Sequence, residues 1–122
     1  ASDTIEAGTE AAGRLLDRSD GLSAVFGGND RYAVGAYRAA RRLGRVVPRD
    51  LSVIGVGDLF FASTAEPPLT TLKLDIRGLG RKALRLLLQR VRGEALPAVP
   101  AVLSPRLVER ESCAPGPAGA AS

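Results

Sequence analysis

Two glycine-bearing turns carry the polar residues placed to meet a ligand: Gly27-Gly28-Asn29-Asp30 and Gly55-Val56-Gly57-Asp58. Each closes a short apolar run, so each can bring backbone amides, a side-chain amide or a carboxylate up to a small molecule. Nucleotide binding would need more. Gly27-Gly28 lacks the third glycine of a dinucleotide fingerprint and the lysine of a phosphate loop, and Gly55-Val56-Gly57 fails in the same way. Asp30, Asp50 and Asp58 are the carboxylates that could pair as acid and base. Asp50, however, precedes its apolar run and falls at the opposite end of that strand, and Asp30 is better placed as a helix cap. No histidine occurs, which removes the commonest general base and most metal sites and triads. Cys113 is the single cysteine, so the chain forms no internal disulfide and no cysteine-built metal site. The residue types point to binding rather than catalysis, with no cofactor and no metal.

The elements that position these turns follow from the hydrophobic pattern. The central stretch is residues 46–58. Pro48 blocks a preceding helix, and Leu51, Val53, Ile54 and Val56, interrupted by Ser52, predict a short strand buried on both faces. Residues 22–26 predict an earlier strand. Between them, residues 31–43 carry Ala33, Val34, Ala36, Tyr37, Ala40 and Leu43 at helical spacing, with Asn29 or Asp30 as cap and Gly44 as a left-handed stop. Strand, helix and strand make one right-handed unit with parallel strands, so both glycine turns open on the same edge of the sheet.

Residues 4–17 predict a first helix capped by Asp3, weakened by Gly8 and Gly13. Leu59-Phe60-Phe61 is an apolar cluster in a loop, readable either as a loop folded back on the core or as a partner surface. Residues 67–74 lead into another short strand. Residues 75–92 predict a third helix, capped by Asp75, stopped by Gly93, with Ile76, Leu79, Ala83, Leu86, Leu87 and Val91 along its apolar face. Residues 99–103 and 106–110 read as two last strands, and the Ala, Pro, Gly and Ser residues of 113–122 as a disordered tail.

At 122 residues and 45% hydrophobic, the chain is one globular domain or part of one. A net charge of +4 is too small to mark a nucleic-acid binder. The basic residues of the third helix (Arg77, Arg81, Lys82, Arg85, Arg90, Arg92) have no aromatics among them and read as a solvated face. No apolar stretch approaches the roughly 20 residues that span a bilayer, and no signal peptide is visible. With no methionine anywhere, Ala1 is expected not to be the translation start: either something was removed or the chain is a fragment. A lone thiol fits a reducing, cytoplasmic setting.

A family resemblance emerges from ordered pieces: Ala24-Val25-Phe26-Gly27-Gly28-Asn29-Asp30, Ala33-Val34-Gly35-Ala36, Val47-Pro48 with Asp50-Leu51-Ser52-Val53-Ile54-Gly55, Pro67-Pro68-Leu69-Thr70-Thr71, Leu79-Gly80, and Arg106-Leu107-Val108-Glu109-Arg110-Glu111-Ser112. Together, over about residues 4–112, they resemble the C-terminal part of the effector-binding domain of the lactose/galactose repressor (LacI/GalR) family. The resemblance implies an α/β fold of the type I periplasmic-binding-protein kind. Two lobes are joined by three crossing strands and hold a small ligand between them. Residues 1–112 would be a partial effector-binding domain, with 1–72 and 104–112 in the C-terminal lobe and 73–103 a crossover piece of the other.

The same resemblance implies ligand contacts at Asn29, Phe26 and Ile76. Gly57 stands where the family places an effector-binding aspartate, and Asp58 follows one position late, where a shift of one residue can turn a side chain away. Leu59, Phe60 and Phe61, with the flank of the second helix, resemble the family's subunit interface and imply a homodimer. The implied protein is a transcriptional regulator, taken as a repressor and not an enzyme, that answers a sugar or related metabolite. It would reach operator DNA through an N-terminal helix-turn-helix that is not in this sequence. The alternative is a periplasmic-type sugar-binding protein of a transport system, against which the 47–53 run and the Pro-Pro-Leu-Thr-Thr turn argue. A small α/β enzyme is disfavoured for want of a histidine and a nucleophile motif.

Overall fold

The structure, a computed structural model, describes residues 2–19, 21–97, 102 and 104–116. The chain divides into two compact units, Ala1–Lys73 with Leu107–Ser122, and Leu74–Arg106. The first unit begins with α1 (Ile5–Asp17), β1 (Ala24–Phe26), α2 (Asp30–Arg42) and β2 (Ser52–Val56). A single 3-10 turn, Phe60–Ala62, then leads to β3 (Thr70–Lys73). The second unit is built on α3 (Ile76–Val91), and β4 (Arg106–Val108) follows it. The sheet order is β1-β2-β3-β4. β1 and β2 pair in parallel with Val25 opposite Val53, and β2 and β3 pair in parallel with Gly55 opposite Thr71. The parallel pairing inferred from the strand-helix-strand pattern is therefore present, with β1 shorter than residues 22–26.

β2 is buried on one face rather than two. Val53 and Gly55 are buried while Ser52, Ile54 and Val56 are half-buried. The reason is that α2 packs on β2 from one side, and the core gathers there: Ala33, Ala36, Ala39 and Ala40 of α2 with Ala12, Leu16, Leu51, Val53, Ala62 and Leu69. That core is rich in alanine because α1 and α2 touch through their backbones. A Cβ on Gly35 would lie 2.5 Å from the Thr9 nitrogen, and one on Gly8 would lie 2.6 Å from Tyr32 Cα. Gly8 thus permits the contact that holds α1, although it lowers the helix's own propensity.

The caps follow local chemistry. Thr4, not Asp3, caps α1: its Oγ1 accepts from the Ala7 amide at 3.1 Å. Asp3 instead accepts from Asn29 Nδ2 at 2.6 Å and from Arg31 at 3.1 Å. Asn29 caps α2 and Asp75 caps α3, each accepting from the amide three residues on. Gly44 and Gly93 close their helices at φ +72° and +73°.

At the amino end of the sheet the fully buried Ser112 fills a gap. Its Oγ donates to the Val53 carbonyl at 2.5 Å and accepts from the Thr70 amide at 2.8 Å, while its own carbonyl accepts from the Val53 amide. Cys113 and Ala114, read from composition as tail, continue this contact: Cys113 Sγ donates to the Val53 carbonyl and the Ala114 amide to Ser52 Oγ. Of the strand expected over 99–103, only Val102 is described, exposed and outside any strand; the rest lies outside the described residues.

The second unit has no such core. α3 has no buried residue, and Ile76, Leu87 and Val91 are 61%, 59% and 76% exposed. Its apolar stripe, legible at helical spacing, is exposed among the described residues.

Candidate functional site

Parallel pairing brings the carboxyl ends of β1 and β2 side by side, with Phe26 opposite Ile54 and the Gly27 amide donating to the Ile54 carbonyl at 2.8 Å. The chain then turns directly into α2. Gly27 is buried, and a Cβ there would lie 2.7 Å from the Ala33 nitrogen, so only glycine lets the helix start so close. Asn29 sits in this turn. Its Oδ1 accepts from the Tyr32 amide at 2.8 Å, and its Nδ2 gives one hydrogen to Asp3, leaving the second available. Phe26 is 61% exposed at the same edge.

The second turn follows β2. Gly57, at φ +130°, donates its amide to the Leu72 carbonyl at 2.8 Å, which ties the turn to β3. Asp58 has φ +53°, the one non-glycine residue with positive φ among the described residues. Its carboxylate is 11% exposed and meets two cations: Arg110 Nη2 at 2.7 Å from Oδ1 and Lys73 Nζ at 2.9 Å from Oδ2. The hydrogen bond from Arg110, and after it that from Lys73, hold the carboxyl below the usual carboxylate range.

Beneath both turns lies a residue whose role the local pattern does not reveal. Asp30 is read from sequence as a helix cap. It is completely buried; Oδ1 accepts from Thr71 Oγ1 at 2.5 Å and Oδ2 from the Leu59 amide at 2.7 Å. The carboxylate thereby joins the start of α2 to β3 and to the 57–59 turn. Gly55 leaves it room, since a Cβ there would run into the carboxylate. The usable signal in the sequence is the conjunction of a side-chain-free position in an apolar strand with an acid at a helix start.

The remaining candidates separate. Leu59 is half-buried and held by Asp30 through its amide, and Ala62 beyond it is core. Phe60 is 90% exposed, packed edge-on against the half-buried Phe61 with ring centroids 5.3 Å apart. The cluster is therefore part core and part surface. Ile76 is the first residue of α3 and belongs to the second unit. Asp50 precedes β2, away from these turns; paired with Arg49 and accepting from the Val46 amide, its carboxyl is lowered to about 2. A cavity of about 490 Å³ beside β1 is lined by Ala7, Ala11, Leu15, Val25 and Phe26 among others. It includes Gly27 and Gly28 but neither Asn29 nor Asp58, and its walls are mostly apolar.

The family of periplasmic binding protein-like domains matches residues 1–113. The HTH-type transcriptional regulator MalR of Streptomyces coelicolor is 40% identical over 114 residues, covering 93% of this chain and 33% of that protein. The solved complex of the transcriptional regulator CelR with cellobiose matches with a TM-score of 0.83 at 38% identity, over 92% of this chain and 34% of that one. The lac repressor dimer bound to operator and the anti-inducer ONPF matches with a TM-score of 0.80 at 34% identity, over 90% of this chain and 38% of that one. These relatives are transcriptional regulators rather than enzymes, and the chain spans about a third of the length of the curated relatives it matches. The chain belongs to the periplasmic binding protein-like family, as a part of the sensor domain of LacI/GalR-type transcriptional regulators.

Proposed function

We propose that this chain is the effector-sensing part of a DNA-binding transcriptional regulator, acting as a repressor, whose effector is a small sugar-like molecule. The observation that carries the reading is the pair of turns, 26–29 and the one at Gly57, opening at one edge of a parallel sheet. That edge is where ligands meet open α/β sheets. The likeness to regulators, one of them solved with cellobiose, selects the ligand class. The free hydrogen of Asn29 Nδ2 suits a hydroxyl acceptor, and the exposed Phe26 ring suits the apolar face of a pyranose. Gly57 brings backbone without a side chain to the second turn. Ile76, exposed at the start of α3, is the second unit's candidate for an apolar ligand contact.

In this reading residues 1–72 and 104–112 build the C-terminal lobe, and 73–103 are a piece of the other. The bare apolar stripe of α3 supports that division. Operator binding belongs to a helix-turn-helix elsewhere in the whole protein. Homodimerisation uses Leu59, Phe60 and Phe61 with the flank of α2. The ligand favours one lobe orientation, and the dimer passes that preference to the DNA-binding heads.

The test is calorimetric titration of the whole regulator with a panel of mono- and disaccharides. One sugar should bind, and Asn29→Ala, which also removes the α2 cap and is therefore compared at a temperature where circular dichroism shows it folded, should weaken it at least about tenfold, as loss of a ligand hydrogen bond does. Failure of every sugar, with binding of a purine or an acidic metabolite instead, would reject the ligand class.

A further inference from the structure

The chain passes between the two units at two short stretches. The outgoing one is the end of β3, since the first unit ends at Lys73 and the second begins at Leu74. The returning one is β4 itself, within which the first unit resumes at Leu107. Asp58 grips both, with Lys73 on Oδ2 and Arg110 on Oδ1. Arg110 is in turn locked to β3. Its Nη1 donates to the Leu69 carbonyl at 2.8 Å and its amide to Thr70 Oγ1 at 2.9 Å. Its side chain is 19% exposed, so this pair is largely shielded from water and salt.

The backbone supports the same role. A glycine would hold φ +53° with less strain than an aspartate. The left-handed turn at residues 57–58 aims a carboxylate at the ends of two other segments, and that explains an acid in an unfavourable conformation. Each carboxylate oxygen already accepts from a cation, so a ligand hydroxyl would have to share an occupied oxygen. The residue that follows, Leu59, is fixed from below by Asp30, the neighbour of Asn29. A continuous set of hydrogen bonds therefore runs from the Asn29 turn, through Asp30 and the 57–59 turn, to both crossing segments.

We propose that Asp58 is a positioning residue that clasps the two chain crossings, and that it acts on the effector response through them rather than by touching the ligand. The second half of this statement rests on the sensor function proposed above; the clasp itself does not. Segment-resolved hydrogen exchange on the whole protein tests the clasp without any ligand. Asp58→Asn should speed exchange at residues 70–74 and 106–110 at least about tenfold, the scale expected when a charge-assisted pair is lost, while α2 amides such as Ala36 and Ala40 stay unchanged. Asp58→Gly, which relieves the backbone but removes the carboxylate, should behave like Asp58→Asn.

Unchanged crossings, a uniform rise that includes α2, or full protection in Asp58→Gly would each overturn the clasp. The ligand arm uses the same variants. Asp58→Asn should keep the effector Kd within about threefold and lose most of the effector's shift in operator affinity. Any larger loss of effector binding would make Asp58 a ligand contact and overturn the proposal, as would an effector shift in operator affinity that stays intact. If the wild type binds no effector, the sensor reading has failed, and the exchange result still decides the clasp.

Discussion

Replacing Asp30 tests whether the site is held by hydrogen bonds to a buried carboxylate or by packing alone. In Asp30→Ala the Thr71 hydroxyl and the Leu59 amide both lose their acceptor. An orphaned buried donor costs about 1–3 kcal/mol. Thr71 is fully buried and belongs at the upper end, whereas Leu59 lies nearer solvent and belongs at the lower. Removing a negative charge from the first turn of α2 adds about 0.3–1 kcal/mol. The expected total is about 3–5 kcal/mol, a large part of the roughly 5–15 kcal/mol that stabilises a domain.

Asp30→Asn is different. Its carbonyl oxygen can still accept from Leu59, and the Thr71 hydroxyl can rotate to accept from the new amide group. The cost is then the weaker neutral bonds and the lost charge, about 1–2 kcal/mol. Urea denaturation of both variants, compared at equal m, measures the two costs. A loss below about 1 kcal/mol in Asp30→Ala would refute the clasp between α2, β3 and the 57–59 turn. Equal losses in the two variants would show that charge, not hydrogen-bond geometry, is what matters at this position.

Three further outcomes follow from other parts of the molecule. Gly35→Ala should destabilise by about 1–3 kcal/mol because its Cβ meets α1 backbone, while Gly13→Ala, with open space around it, should stabilise by up to about 1 kcal/mol; thermal melts by circular dichroism compare them. The lowered Asp58 pKa makes the unfolded state bind more protons than the native state below pH about 4, so this contribution is present above the unfolded value and is lost as pH falls through the folded one. Between pH 7 and about 3 the wild-type urea midpoint should therefore fall further than that of Asp58→Asn, and parallel falls would contradict the pairing. Phe60→Asp should shift sedimentation towards monomer with stability unchanged within about 0.5 kcal/mol, since the ring is exposed; a wild type that is monomeric at high concentration would remove the interface.

What could be read from sequence was what depends on neighbours a few residues away. Asn29, Asp75, Gly44 and Gly93 end their helices as their types and positions imply. Asp3 and Thr4 are both competent caps, and the choice is made by partners at Asn29 and Arg31 that are 26 and 28 residues along the chain. Ser52 to Val56 has the β-branched content of a strand, but burial on one face or two depends on which layers surround the sheet. The carboxylate of Asp30 has partners 29 and 41 residues away, and no periodicity encodes them. Asp58 illustrates the same limit: its place after the strand was visible, whereas its grip on Lys73 and Arg110 required the register of β3 and the return of the chain after β4. The backbone contact through Gly8 and Gly35 likewise reverses the local reading of Gly8 as a mere weakness.

The most direct test of the account is operator occupancy by the whole regulator, measured by mobility shift on DNA from its own upstream region at physiological salt, with and without the sugar found by titration. Sequence-selective binding is expected, changed by the sugar at least about tenfold, within the roughly 5–150-fold range of allosteric coupling, and Asn29→Ala should require more sugar for the same change. Operator binding that no carbohydrate alters, or a sugar that binds tightly and leaves occupancy unchanged, would contradict it.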